Sequence, residues 1–215
     1  MASNLPAIPT YPARPIHGGD LEAAAARGLL NPRLYGNRAV EPKFNGFRIL
    51  LDRVTGMMWN RHGDPLSLAR EFTVPLESLM ALPTAFPRFL DCEGLERRHG
   101  FMRGSLIVLD AILPDTPYEL RREILEEDIP VFDFSHVMNV DVLCLAPRQP
   151  LKFALDYYDE LRAFNGKIGA TGLNSFFEGV ILKKVESTYP MQRTNPRRET
   201  TWWTKYKWEE KKCTT

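Results

Sequence analysis

The dipeptide Asn45-Gly46 constrains this chain more than any other pair of residues. It separates two extended segments, one around Arg38–Glu41 and one at FRILLDR (Phe47–Arg53), with residue types that favour a tight turn. Two residues before it stands a lysine, within Glu41-Pro42-Lys43-Phe44-Asn45-Gly46-Phe47-Arg48. The pattern holds an amine at the end of a strand, with an acid before it and an arginine after it. An amine so placed can attack a phosphorus atom once it is unprotonated, and burial and nearby cations favour that state in any lysine. Lys205 and Lys207 are suitable cations, because residues two apart on a strand share a face.

The rest of the chain continues the pattern. Thr55-Gly56 signals a hairpin, with Met57–Arg61 as its return strand. Further strands are expected at Arg88–Leu95, Ser105–Leu113, Asn139–Ala146, Phe176–Lys184 and Thr201–Trp208. Helices are expected at 19–29, capped by Asp20, at Pro117–Asp128, capped by Thr116, and at Pro150–Phe164, closed near Gly166. Residues 66–81 have helical character broken near Pro75. Hairpins with interspersed helices predict an α+β fold, with mainly antiparallel sheets flanked by helices.

Composition narrows the function classes. A net charge of +1 leaves any nucleic-acid surface to local patches. Cys92, Cys144 and Cys213 form no CxxC pair, so a disulfide framework or zinc site is not expected and a reducing cytosol fits. The four histidines lack metal-ligand spacing. No apolar run spans a membrane, and the proline-rich segment 1–18 reads as an extended arm rather than a secretory signal.

Two acids sit inside apolar strands, Glu93 in Leu90-Asp91-Cys92-Glu93-Gly94 and Glu178 in Phe177-Glu178-Gly179-Val180-Ile181-Leu182-Lys183. Trp203-Thr204-Lys205-Tyr206-Lys207 ends the series. A carboxylate in an apolar strand is costly unless it meets a cation or a metal. Two such acids with several lysines point to a nucleoside triphosphate and Mg²⁺.

These five segments, from about Arg38 to Trp208, resemble in content and order the motifs of the covalent nucleotidyltransferases. That superfamily includes ATP-dependent DNA ligases, RNA ligases and mRNA capping enzymes, and shares an ATP-grasp-like adenylation domain. The resemblance implies that Lys43 becomes covalently linked to AMP and that Lys205 and Lys207 contact the α-phosphate. It implies that Glu41 reads the adenine amino group, which favours ATP over GTP. Arg48 would contact nucleotide and nick, Arg61 the 5′-phosphate, Glu93 ribose or metal, Glu178 metal, and Lys183 phosphate. The family more often has aspartate where Asn45 stands, and an aromatic residue where Leu109 stands. Leu109 can pack on a base but cannot stack on it, so another aromatic would have to substitute.

The expected reaction is ATP-dependent sealing, by a monomer, of nicked duplex DNA, with or without RNA in the duplex. An RNA ligase with the same chemistry and a non-catalytic nucleic-acid-binding relative are the alternatives. The expected organisation is an adenylation domain over 19–208 with a short tail at 209–215 and no OB-fold. The basic residues Arg97, Arg98 and Arg103, and Arg193, Arg197 and Arg198, are then the candidates for gripping nucleic acid.

Overall fold

In a computed structural model, which describes residues 11–95, 102–136, 142–192 and 199–208, the Asn-Gly turn does not close a hairpin. It carries the chain from one sheet to another. The first elements are β1 (Tyr11–Pro12), β2 (Arg14–His17), α1 (Leu21–Ala26), α2 (Pro32–Tyr35), β3 (Arg38–Phe44) and β4 (Phe47–Asp52). Next come β5 (Met57–Trp59), β6 (Pro65–Leu66), α3 (Thr73–Met80), β7 (Phe89–Leu95), β8 (Ser105–Ala111) and α4 (Tyr118–Asp128). The last are β9 (Leu143–Leu145), β10 (Gln149–Pro150), α5 (Ala154–Lys167), β11 (Phe177–Lys184), β12 (Met191–Gln192) and β13 (Glu199–Lys207).

One sheet has the order β10-β3-β11-β13-β2 and the other β6-β5-β4-β7-β8-β9. The expected α+β architecture is observed. Pairing is antiparallel except for β13 with β2 and β8 with β9. Segment 1–18 differs from a surface arm where it is described: Arg14–His17 is a strand of the first sheet, and Ala13 is fully buried.

Alternation sorts the side chains. Val40, Phe44, Val180 and Leu182 pack with Tyr157 and Leu161 of α5 to cover one face of the first sheet. Ile49, Leu51, Leu90 and Cys92 do the same for the second sheet, against Leu76 and Leu79 of α3 and Leu125 of α4. A third cluster of Leu50, Trp59, Ile112, Tyr189 and Trp203 joins the two sheets. The odd-numbered residues from Glu41 to Lys43 and from Asp91 to Glu93 are left facing the space between the sheets.

Some local expectations are corrected. Pro75 does not break α3 but lies in its first turn, where a missing N–H costs nothing. Thr116 does not cap α4: the N-cap is Pro117, without a side-chain bond, and the Thr116 carbonyl accepts from Arg121 instead. Helix α5 starts at Ala154 rather than Pro150 and ends at Lys167, next to Gly166 as expected, with Gly169 taking the positive φ beyond its end. Asp20 caps α1 as expected, accepting from the Ala23 amide at 2.7 Å.

The buried face of α4 carries charge. Arg121 forms a two-pronged ion pair with Asp110 at 2.7 and 3.0 Å, and both side chains are fully buried. Burial works to raise the Asp110 carboxyl, but Lys183 and Arg121 outweigh it and hold it below the usual range. Arg121→Met is expected to destabilise the protein by about 3–5 kcal/mol, because the buried Asp110 would lose its two-pronged cation and keep the Ala111 amide at 2.9 Å and Lys183 3.6 Å away. Urea unfolding would measure this, and a loss under about 1 kcal/mol would contradict it.

Candidate active site

Between the sheets lies a cavity of about 560 Å³, within the usual range for small-molecule sites. Glu41, Lys43, Ile181, Lys183, Trp203 and Lys205 line it from the first sheet, and Arg48, Asp91, Glu93 and Leu109 from the second. Asn60, Arg61 and His62 lie at its edge.

The Asn-Gly turn between the sheets is required by contact rather than by a left-handed backbone. Neither residue has a positive φ. The Asn45 amide donates to the Ser175 carbonyl at 2.8 Å, a bond an ionised aspartate could not make. The departure from aspartate at this position therefore has a local structural reason. A Cβ at Gly46 would stand 2.4 Å from the Gly94 carbonyl oxygen, so only glycine brings the turn this close to β7. The Gly46 amide, in turn, donates to Glu93 at 3.0 Å.

Lys43 points from the end of β3 to Glu178, which accepts from its amine; Lys207 shares the same carboxylate oxygen at 2.7 Å. Strand alternation alone would send Glu178 into the core, because Phe177 and Val180 flank it there. A β-bulge at Glu178–Gly179 inserts one residue and turns the carboxylate towards the lysines. Burial works to raise the Glu178 carboxyl, but Lys43 and Lys207 outweigh it and hold it below the usual range. Lys205 lines the cavity beside this cluster, and its ammonium makes no hydrogen bond or ion pair among the described residues. Burial, then Lys43 and Lys207, lower its ammonium.

Two residues before Lys43 on the same strand, Glu41 is buried, with 1% of its surface exposed, and is held from three sides. The Tyr118 hydroxyl donates to one oxygen, Lys183 to the other at 2.8 Å, and Arg122 stands 3.9 Å away. Burial and then Glu41 push the Tyr118 hydroxyl well up, so it remains a donor. Four lone-pair sites leave the carboxylate room for one more donor from the cavity. Lys183 is 3% exposed and donates to Glu41 and, at 2.8 Å, to the Leu109 carbonyl. Its ammonium is used inside the wall, so the structure does not bring it to phosphate as expected. Leu109 is half-buried and lines the cavity on the other sheet from Ile181.

Arg48 is clamped by Asp91, its Nε donating to Oδ1 at 2.7 Å and Nη2 to Oδ2 at 2.5 Å. Burial would lower the guanidinium, but Asp91 outweighs it and raises it. The Tyr189 hydroxyl donates to the same carboxylate at 2.8 Å, and the guanidinium lies 5.2 Å from the Trp203 ring centre. Asp91, Tyr189 and Trp203 were not among the residues expected at the site. Asp91 could have been found two before Glu93, and Trp203 two before Lys205, on the same strand faces. Tyr189 and the buried Tyr118 and Arg122 carry no such signal.

Arg61 is exposed and bonds only to His62 among the described residues, at 3.1 Å. Arg103 is exposed and does not line the cavity. Arg97, Arg98, Arg193, Arg197 and Arg198 lie outside the described residues. The described cysteines, Cys92 and Cys144, are buried, and burial pushes the Cys144 thiol up to about 12.

Glu93 and Glu178 differ in state. Burial pushes the Glu93 carboxyl up to about 7, against the opposing pull of Lys43. Glu178 is therefore the better anionic ligand for a hard cation at neutral pH. No group of three acidic, histidine or cysteine side chains among the described residues could hold a metal alone. The donor set fits Mg²⁺ that binds one carboxylate and completes its shell with substrate phosphates and water.

The raised Glu93 carboxyl makes stability fall with pH. Below about 4.5 both folded and unfolded states hold the proton, and no contribution arises. Between about 4.5 and about 7 only the folded state holds it, so each rise in pH favours unfolding; above about 7 the penalty is constant. Glu93→Gln keeps an acceptor for Gly46 and removes this dependence. Relative to wild type it should gain up to about 3 kcal/mol across that window in urea unfolding at several pH values. A difference that does not change with pH would contradict the shift.

No protein-family model and no curated protein matches the sequence. Solved structures do match its fold. The ligase domain of M. tuberculosis LigD superposes with a TM-score of 0.55 at 19% identity, over 92% of this chain and 59% of that one. A Lig E DNA ligase, described as binding DNA with a minimal scaffold, gives 0.54 at 11% identity, over 94% and 69%. The Chlorella virus DNA ligase-adenylate gives 0.52 at 19% identity, over 92% and 69%. The chain thus spans between three-fifths and seven-tenths of these proteins. Among the described residues no helix is long and apolar enough to cross a membrane. Two sheets enclosing a cavity, with the Lys43 strand crossing between them, give this chain the fold of the nucleotidyltransferase domain of ATP-dependent DNA ligases.

Proposed function

We propose that this protein is an ATP-dependent polynucleotide ligase that seals nicks in duplex DNA through a lysyl–AMP intermediate. The observation that carries the reading is the cluster at one edge of the cavity. Lys43 and Lys207 share Glu178, Lys205 stands beside them with no ion pair among the described residues, and Glu41 lines the cavity two residues before Lys43 on β3. Adenine placed between Leu109 and Ile181 would donate its amino group to Glu41, whose orientation Tyr118 and Lys183 hold. The α-phosphate would then lie at the lysine cluster.

The Lys43 ammonium releases its proton to solvent, the neutral amine attacks that phosphorus and the bond to pyrophosphate breaks, leaving a phosphoramidate. Lys205 and Lys207 stabilise the charge on the phosphoryl oxygens. The AMP then passes to a 5′-phosphate, and the adjacent 3′-hydroxyl displaces it. Arg48, held by Asp91, is the group to orient the reacting nucleotide and nick; Arg61, at the cavity mouth, is placed to meet the 5′-phosphate. A divalent ion bound through Glu178 would supply further charge neutralisation.

The test is transfer of label from α-labelled ATP to the chain on a denaturing gel, followed by sealing of nicked duplexes with deoxyribose or ribose at the 3′-hydroxyl side. Wild type should take up label and seal. A folded chain that neither takes up label nor carries AMP by mass spectrometry after purification would overturn the reading. Preference for the ribose-ended nick would assign it to RNA ligation instead.

A further inference from the structure

We propose that Arg14 and Lys205 together form a phosphate-binding subsite in the cavity wall, with Arg14 supplied by the N-terminal strand β2. The inference deepens the nucleotidyl-transfer reading above and rests on it for the identity of the anion. Charge pairing within the cavity is the starting observation. Lys43 and Lys207 have Glu178, Arg48 has Asp91, and Lys183 has Glu41 and Asp110. Arg14 and Lys205 both line the cavity and form no ion pair among the described residues; the nearby acid is the exposed Glu199, opposite Arg14 on β13, which acts to raise the Lys205 ammonium.

The two come from adjacent strands. Strand β2 runs parallel to β13, with Arg14 opposite Glu199 and His17 opposite Lys205, and the register shifts between Thr200 and Thr204. That shift inserts residues 201–203 of β13 between the partners of Pro15 and Ile16. The two cations are close enough that Arg14 adds to the lowering of the Lys205 ammonium. Arg14 is also orphaned: its Nε is buried and has no hydrogen-bond partner. A buried donor without an acceptor is costly, and an orphaned guanidinium nitrogen facing a cavity marks a place for an oxyanion. A guanidinium fork and an ammonium side by side match the oxygens of one phosphate group.

Two phosphates could reach this point: the tail of the nucleoside triphosphate, which leaves as pyrophosphate, and the 5′-phosphate of a nick. The chemistry of recognition is shared, and separate assays tell the sources apart. Neither the Asn-Gly segment nor the paired acids pointed to Arg14. It enters the cavity because β2 joins the sheet.

The direct test is binding of inorganic pyrophosphate by calorimetry to wild type, Arg14→Ala and Arg14→Lys, with Arg27→Ala as an equal charge loss on an exposed surface. Arg14→Ala should weaken binding about tenfold or more, Arg14→Lys by less, and Arg27→Ala hardly at all. Thermal melting checks that each variant is folded, and Arg14→Lys decides the question if Arg14→Ala is not. Equal affinity for wild type and the Arg14 variants, or no binding by wild type, would overturn the subsite.

The source follows from two rates. A fall in label uptake from ATP with unchanged sealing of a pre-adenylated nick assigns the triphosphate tail, and the reverse assigns the 5′-phosphate. These results separate the two readings. Pyrophosphate binding that depends on Arg14 in a chain that never takes up label would retain the subsite and sink the ligase. Label uptake with Arg14-independent binding would do the opposite.

Discussion

Lys43→Ala is expected to lose the covalent adenylate altogether, a fall of about 10³-fold or more in label uptake. No other amine can take its place. Lys205 is on a different strand, and Lys207 reaches Glu178 from the far side of the bulge. Lys43→Arg should be equally inactive, since a guanidinium does not deprotonate in proteins. The fold should survive, because Lys43 is at the surface of the cluster with 20% of its side chain exposed, and Glu178 keeps Lys207. The informative contrast is the last step. Sealing of a nick already carrying AMP needs no attack by Lys43, so the variant should retain a substantial part of that activity. Wild-type label uptake by Lys43→Ala would place the nucleophile elsewhere and remove the basis of the proposed mechanism.

Gly179→Ala should damage both stability and adenylation without touching a charged group. The φ of Gly179 is +146°, a region that L side chains avoid, and an added Cβ would lie 1.9 Å from the Tyr206 carbonyl oxygen. Backbone cannot yield as a flexible side chain can, so strands β11 and β13 would have to separate. The cost is expected at about 3 kcal/mol or more, read by urea unfolding. The separation would also move Glu178 away from Lys43 and Lys207, because the bulge is what aims it. Label uptake should therefore fall by at least about tenfold in the fraction that remains folded. A variant with wild-type stability and label uptake would show that the bulge is not needed to place the carboxylate.

Much of the fold was legible because alternation is local information. Val40, Phe44, Val180 and Leu182 announce the covered face of the first sheet, and the odd-numbered neighbours of Glu41 and Lys43 announce its other face. The same rule brought Glu93 and the C-terminal lysines to the cavity. It failed where the backbone departs from period two. By parity Glu178 belongs in the core, and only a bulge, unreadable from residue types except for a glycine beside it, reverses it.

Helix signals held only in part. Pro75 usually breaks a helix, but in the first turn it costs no hydrogen bond, whereas α5 ends within one residue of Gly166 as expected. The partners of the site residues were the least legible. Glu41 meets Tyr118, Asp91 meets Tyr189, and Lys183 meets Asp110 across separations that no local pattern encodes.

Residue order alone thus determined which groups the protein carries for phosphorus chemistry: an amine before a forced turn, acids in apolar strands, and a closing pair of lysines. Tertiary structure decided what each of them meets. It turned an apparent hairpin into a crossing between sheets, drew Lys183 into the wall, and brought Arg14 into the cavity. The physical reason is range. Side-chain alternation is set by the geometry of consecutive peptide units, whereas charge pairing depends on which strands become neighbours, and that is settled only when the two sheets pack.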